Sequence, residues 1–319
     1  MKNDSDTSAV TKSNVLSVDD FLQSFLVTQK IHAKSLISTL FGDLAVPHGG
    51  KAWVQTISSL LEPLGVSNRL VRTSLFRLVE EQWLDSTRIG RKSYYQLTDK
   101  ALGQTKLAEQ LIYHRNTRKW DGSWTLVFIV QRPSNLDLRN QLEQELKWMG
   151  FGSVSKHIFA HPNASINVVA ERVTALELSK HVVCMRAENL SDDVIGLDVS
   201  DSEMAAMCFP PSNLEDYYSK FIKQFSQLNY GSVQSASKSS QLLLRLLLVD
   251  EFRRIVLHDP HLPDELLPSD WVGDKAHELC KSIYVSLFMS SNQAYRERVN
   301  DTGADLLSEF NPHFAKRFV

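Results

Sequence analysis

Leu64-Gly65-Val66-Ser67-Asn68-Arg69-Leu70-Val71-Arg72-Thr73-Ser74-Leu75-Phe76-Arg77-Leu78-Val79-Glu80-Glu81-Gln82 runs directly into Trp83–Ile89, Gly90-Arg91 and Lys92–Leu97, and this stretch decides the fold. Ser67 is a favoured helix N-cap and predicts a helix reaching about Gln82. On a wheel at about 100° per residue, Leu70, Val71, Ser74, Leu75, Leu78 and Val79 gather on one side. Arg69, Arg72, Thr73, Phe76 and Glu80 gather opposite, flanked by Asn68 and Arg77. One face packs and the other offers cationic and polar groups. Two short strand-like runs then meet at Gly90-Arg91, the pattern of a hairpin.

Upstream, a helical pattern starts near Ala33 and passes through Leu36, Ile37, Leu40 and Phe41 before Gly42. Pro47-His48-Gly49-Gly50 breaks it, and a second helix is predicted over about Lys51–Glu62 with Trp53, Val54, Ile57, Leu60 and Leu61 on its apolar side. Gly65 stands where the turn between two crossing helices needs a small residue. Three helices and a hairpin are the order of a winged helix-turn-helix. Downstream, Thr98 caps a predicted helix at Asp99–Tyr113. Strands at Trp124–Val130, Gly150–Ala160 and His181–Arg186 then alternate with helices at Leu136–Trp148 and Asn167–Leu178. This order suggests a split βαβ, ferredoxin-like module. After Pro210-Pro211 the chain reads as helices, at about Asn213–Leu228, Ser237–Leu257 and Asp274–Ser290.

The expected class is therefore α+β and multidomain. It has a flexible tail at 1–30 (with a short helix at Val18–Val27), a winged helix at 31–98 and a linker helix at 99–119. A ferredoxin-like domain at 120–210 and an all-α domain at 211–319 complete it. An apolar fraction of 43% in 319 residues suffices for packed cores. The longest apolar stretches, Thr125–Val130 and the arginine-interrupted Leu242–Val249, are far shorter than a bilayer-spanning helix. MKNDSDTSAV lacks the basic-then-apolar order of a secretory signal. Cys184, Cys208 and Cys280 are odd in number and far apart, which argues against a disulfide framework or a cysteine zinc site. A cytoplasmic protein without resident cofactor or metal is expected.

A net charge of −2 hides an asymmetry. Residues 30–119 hold 14 Lys and Arg against 7 Asp and Glu, whereas residues 120–319 hold 19 against 26. A basic block on an otherwise acidic chain is the electrostatic footprint for a polyanion such as double-stranded DNA. Arginine can bond bidentately to guanine and asparagine to adenine, while Thr or Phe can touch a thymine methyl. Asn68, Arg69, Arg72 and Thr73, early in the helix, suit base reading, and Arg77 suits the phosphate backbone. Phe76 is left between a thymine contact and a place beneath the wing. Arg88, Arg91 and Lys92 around Gly90 make a basic wing tip. One of Tyr94 and Tyr95 should pack the hairpin, because alternate strand residues face opposite sides. Tyr94 joins the DNA-binding set.

These residues also carry a resemblance. Ser35-Leu36-Ile37-Ser38-Thr39-Leu40-Phe41-Gly42-Asp43, Leu64–Ser74, Gly90-Arg91-Lys92-Ser93-Tyr94-Tyr95 and Trp120-Asp121-Gly122 resemble the bacterial PaaX family, as do Trp148-Met149-Gly150-Phe151-Gly152 and Phe159-Ala160-His161-Pro162. The likeness continues through Phe252-Arg253-Arg254 and Leu262–Trp271 and covers about Ala33 to Ala294. It implies a homodimeric repressor of phenylacetic acid catabolism with a winged helix, a ferredoxin-like middle domain and a helical C-terminal domain. It further implies a palindromic operator and release by an aryl-CoA thioester, typically phenylacetyl-CoA, rather than by the free acid.

A CoA thioester makes three demands: cations for its phosphates, a slot for its arm, and an apolar pocket for its aryl group. Arg132, Lys156, Arg253 and Arg254 are candidate cations; Trp120, Trp148, Phe159 and Trp271 are candidate aromatics, of which Trp148 and Trp271 join the cations and His161 in the effector set. Other chemistry is disfavoured. A metal-dependent nuclease on a middle domain of this kind needs an Asp ending the first strand, and here that strand ends Val130-Gln131-Arg132. His157 and His161 have metal spacing only on a helix, and in a strand they stand about 13 Å apart. The second class of function is an acyl-CoA-binding protein or thioesterase-like enzyme whose winged helix mediates protein contacts. The cationic helix and wing argue against it, since protein contacts have no need of Arg69, Arg72, Arg88, Arg91 and Lys92 together.

Overall fold

The computed structural model of the chain describes residues 16–115, 119–130, 136–189, 198–210, 214–228, 230–303 and 308–318. They form two compact units. One takes the chain up to His114, Ser219–Leu257 and Lys275 onward, and the other takes Arg115–Tyr218 and His258–Asp274.

The chain enters the first unit through α1 (Val18–Thr28), capped by Ser17. This part of the expected tail is anchored: Phe21 and Phe25 are buried, and Phe21 packs on Phe225 at 5.3 Å between ring centroids. Helix α2 (Ala33–Thr39) runs into a π-helical turn at Leu40–Ala45. Gly49 and Gly50 then take positive φ, 101° and 74°, and redirect the backbone. Lys51–Trp53 therefore enters as a short strand, β1, and α3 (Val54–Leu61) starts three residues later than the helical spacing predicts. Gly65, at φ 75°, makes the turn into α4 (Asn68–Glu80), where the Ser67 hydroxyl accepts the Leu70 N–H as the cap. β2 (Leu84–Ile89) and β3 (Lys92–Leu97) form the hairpin, and β1 pairs antiparallel with β3, giving the order β1-β3-β2. Thr98 caps α5 (Asp99–Tyr113).

The second unit holds β4 (Ser123–Ile129), α6 (Leu136–Trp148), β5 (Gly152–Ser155), β6 (Ile158–His161), α7 (Ile166–Ala175), β7 (Val182–Glu188) and α8 (Asp201–Cys208). The single strand expected at Gly150–Ala160 is a hairpin that turns at Lys156-His157, with a register shift between Ser153 and Ser155. The order becomes βαββαβ, and the sheet β5-β6-β4-β7 is antiparallel throughout, the split βαβ arrangement. Val127, Ile129, Phe159, Leu142, Leu146, Val169 and Val173 make the core on its helical side. Trp124 and Ala160 point the other way and meet Ala205 and Cys208 of α8 and Leu266. Gly152 is required here, since a Cβ would stand 2.6 Å from the Cys208 carbonyl oxygen.

Three further helices, α9 (Leu214–Phe225), α10 (Tyr230–Ser235) and α11 (Lys238–Val256), precede the long α12 (Val272–Gly303). Helix α11 is buried nearly all round: Leu242, Leu244, Leu246, Leu247, Leu248, Val249 and Phe252 are core. Arg245 and Asp250 are buried among them, so each needs partners. Arg245 bonds Asp43 of the π-helical turn through Nε at 2.7 Å and Nη2 at 3.0 Å, and it also reaches Tyr284 and Ser291 of α12. Arg317, near the chain's end, bonds Asp43 at 3.0 Å and Glu109 of α5 at 3.1 Å. The hydroxyls of Tyr113 and Tyr284 donate to the same Asp43 oxygen. Asp250 accepts from Ser35 and Thr39 of α2. The N-terminal helices, the C-terminal helices and the chain's last turn thus share one ionic and apolar core.

Candidate functional site

On α4 the burial pattern divides the helix as the wheel predicts, with one exception. Val71, Ser74, Leu75 and Leu78 are buried, while Asn68, Arg69, Arg72, Thr73, Phe76, Arg77 and Glu80 are exposed. Leu70, placed on the packing side by periodicity, is 44% exposed, because it lies in the first turn, beyond the edge of the core beneath. Phe76 is 62% exposed and does not tuck under the hairpin. Thr73 commits its hydroxyl to the Arg69 carbonyl at 2.9 Å, so only its methyl faces outward as a free contact group. Lys34 of α2 pairs with Glu81 and neutralises the acid just beyond the helix end.

At the hairpin tip Arg88, Arg91 and Lys92 are exposed around Gly90, whose φ is 59°. The Arg88 Nε donates to the Gly90 carbonyl at 3.0 Å and stiffens the turn. Tyr94 lies opposite Trp53 of β1 and meets it edge-on at 5.7 Å, with the Lys51 ammonium over its ring at 5.6 Å. The ammonium of Lys92 stands over Trp53, also at 5.6 Å. Tyr94 is thereby a packing residue that ties the hairpin to β1. The sequence reading missed Lys51 and Trp53 here, since both sat inside a predicted helix; the glycine pair before them was the available sign of an extended start.

The effector candidates are divided between the two units. Arg253 donates to Asp250 at 3.4 Å and to the carbonyl and hydroxyl of Ser35 at 3.2 and 3.1 Å, and Arg254 pairs with Glu251. Both sit on α11. In the second unit, Lys156 is exposed at the β5–β6 turn. His161 packs against Phe151, and its Nδ1 accepts the Asn163 N–H at 2.9 Å. Burial lowers its pKa from 6.5 to about 4, so it is neutral near pH 7 and supplies no charge to a phosphate. Trp271 is buried against Tyr218, whose hydroxyl donates to Asp259. A Cβ on Gly273 would meet the Trp271 ring at 2.3 Å, a fit that marks a packing tryptophan. Arg132 and the side chain of Trp148 lie outside the described residues. A depression of about 350 Å³ opens beside β4, lined by Ser123, Thr125, Asn163, Ser165, Asn167 and Arg186, and none of these was an effector candidate. Among the described residues, no group of three or more His, Cys, Asp or Glu could hold a metal ion, and no helix is long and apolar enough to cross a membrane.

Comparison with known proteins matches three successive stretches of the chain. Residues 32–101 match a family model described as PaaX-like protein, residues 117–195 one described as PaaX protein central Cas2-like domain, and residues 209–297 one described as PaaX-like protein C-terminal domain. The chain is 34% identical over 273 residues to the transcriptional repressor PaaX of Escherichia coli, which spans 84% of each protein. The fold is similar to that of an uncharacterized protein, Rv0674, from Mycobacterium tuberculosis, with a TM-score of 0.52 and 18% identity, over 83% of this chain and 96% of that one. With three consecutive family models matched and this identity to a curated relative, the chain belongs to the PaaX family.

Proposed function

We propose that this protein is a DNA-binding transcriptional repressor of phenylacetate or related aromatic catabolism genes. The observation that carries the reading is the exposed face of α4, where Asn68, Arg69, Arg72, Thr73 and Arg77 stand together, combined with the cationic hairpin tip of Arg88, Arg91 and Lys92. The element order of residues 31–98, helix–strand–helix–helix–strand–strand, supports a winged helix-turn-helix with α4 as recognition helix and β2–β3 as wing. The Escherichia coli relative, named as a transcriptional repressor, supports the same function.

In this reading α4 enters the major groove. Asn68, Arg69 and Arg72 bond base edges, Thr73 offers its methyl, and Arg77 meets the backbone. The wing cations follow flanking phosphates, and Tyr94 holds the wing in place through Trp53. Two subunits bind a palindromic operator with half-sites separated by whole helical turns. An aryl-CoA thioester releases them by binding better to a form whose α4 helices no longer match that spacing, and the shift can be no larger than its differential affinity for the two forms. Arg132 and Lys156 are the retained candidates for the thioester's phosphates.

Fluorescence anisotropy against DNA from upstream of the protein's own gene cluster, at two salt concentrations, tests the proposal. Tight, salt-dependent binding that phenylacetyl-CoA reverses, and that phenylacetate and free CoA leave alone, is the expected result. Binding indifferent to all three ligands would retain the DNA role and overturn the effector. Binding no tighter than to unrelated DNA would overturn the repressor.

A further inference from the structure

The outward face of α12 carries a stripe that is complementary to its own reverse. Glu278, Ser282, Val285, Met289, Asn292 and Arg296 follow at alternating steps of four and three, the spacing of a coiled-coil seam. On a helical wheel they fall within about 80° of arc. Cys280, Ile283, Tyr284, Leu287, Ser291 and Tyr295 on the other side are buried, so the stripe faces away from the unit's core except at half-buried Asn292, whose Oδ1 accepts from Arg245 Nη1 at 3.1 Å. Val285 and Met289, at its centre, are 52% and 78% exposed. Glu278 and Arg296, at its ends, are exposed as well.

We propose that α12 pairs antiparallel with α12 of a second copy of this chain, across a two-fold axis level with Leu287. In that register Val285 of one copy faces Met289 of the other, Ser282 faces Asn292, and Glu278 faces Arg296. The two-fold repeats each pair, so the seam runs about 27 Å at 1.5 Å per residue. These are the a-against-d layers of an antiparallel coiled coil. Charge chooses the direction. A parallel in-register pair would set Glu278 against Glu278 and Arg296 against Arg296, whereas the antiparallel one replaces both repulsions with ion pairs. Exposed ion pairs add little affinity and serve to fix register. The attraction comes from covering Val285 and Met289, with half-buried Phe288 beside them. The inference deepens the repressor reading and rests on it for the purpose of a second copy, since a palindrome is matched by a two-fold protein.

Sedimentation equilibrium of the full-length protein without DNA, over a range of concentrations, tests the pairing. The wild type should be a dimer. Met289→Glu, Glu278→Arg and Arg296→Glu should each raise the dimer Kd about tenfold or more, and the double reversal E278R/R296E should bring it back towards the wild-type value. All three substituted positions are exposed, and thermal melts by circular dichroism should confirm that the four variants are folded. A wild type that stays monomeric, a dimer indifferent to Met289→Glu, or a double reversal no better than the single ones would each overturn the proposal. Because no DNA is present, a dimer that then fails to bind the operator would leave the pairing standing and remove the repressor reading.

Discussion

Arg72 and Arg91 carry the same charge, yet the proposed function gives them different chemistry. Arg72 projects from the exposed face of α4, where a guanidinium fork matches the acceptors of guanine. Arg72→Ala should cost about 1–3 kcal/mol on the cognate operator and relax preference at one base pair. Arg91→Ala should weaken binding to all sequences alike and reduce the salt slope by about 1. Gel shifts on operator and scrambled DNA at several salt concentrations separate the two. His161 makes a different single-residue prediction. Its folded pKa, about 4, lies below the ordinary 6.5, so the unfolded chain binds the proton first and stability falls as pH drops from about 6.5 to about 4. His161→Gln should remove that part of the pH dependence in urea unfolding measured across this range. At Asp43, burial pushes the carboxyl up, but Arg245 and Arg317 outweigh it and hold the group below the usual carboxylate value of 3.8. Its contribution is therefore complete above 3.8 and is lost only in stronger acid. Which α4 side chains face outward was legible from a 3.6-residue period. That Tyr94 rather than Tyr95 meets Trp53 was not, because alternation assigns opposite faces without saying which face the neighbouring strand covers.

Elements with a strong local cause were read closely. Helix α5 occupies Asp99–Tyr113 as predicted because Thr98 caps it, accepting the Ala101 N–H at 3.1 Å. Helix α4 has the same kind of start, and its cap is testable: Ser67→Ala should destabilise the fold by about 1 kcal/mol, read as a lower urea midpoint with unchanged slope. Elements created by pairing were misread. Lys51-Ala52-Trp53 has helical apolar spacing, but β3 offers an unpaired edge and takes these residues as a strand. The run Gly150–Ala160 carries no glycine or proline at its fold-back, so the β5–β6 hairpin left little trace in composition. Helix α8 is short, and its capping box of Ser200 and Glu203 is a purely local sign that only its burial against Trp124 and Ala160 makes meaningful.

Across the whole molecule, the cluster around Asp43 ties together parts of the chain about two hundred and more residues apart: Arg245 lies 202 positions away and Arg317 lies 274. Removing one partner of such a buried set leaves charge without compensation. Arg317→Met should therefore cost about 3–5 kcal/mol in urea unfolding, since it strips Glu109 of its ion pair and Asp43 of one guanidinium. Hydrogen exchange should then rise both in the Leu40–Ala45 turn and in the C-terminal helices, because they share this core. The sequence by itself determined the capped helices such as α4 and α5, the two faces of α4, the basic hairpin tip and the likeness to the PaaX family. These follow from periodicity, caps, charge and motif, all of which act between residues close in the chain. Only the tertiary structure decided that Arg245, set in a run of leucines, meets Asp43 beside Arg317, that β1 joins the hairpin, and that Arg253 bonds Ser35, His161 bonds Asn163 and Trp271 packs on Tyr218. Burial and pairing between distant residues have no local period, so they are settled only when the chain closes on itself.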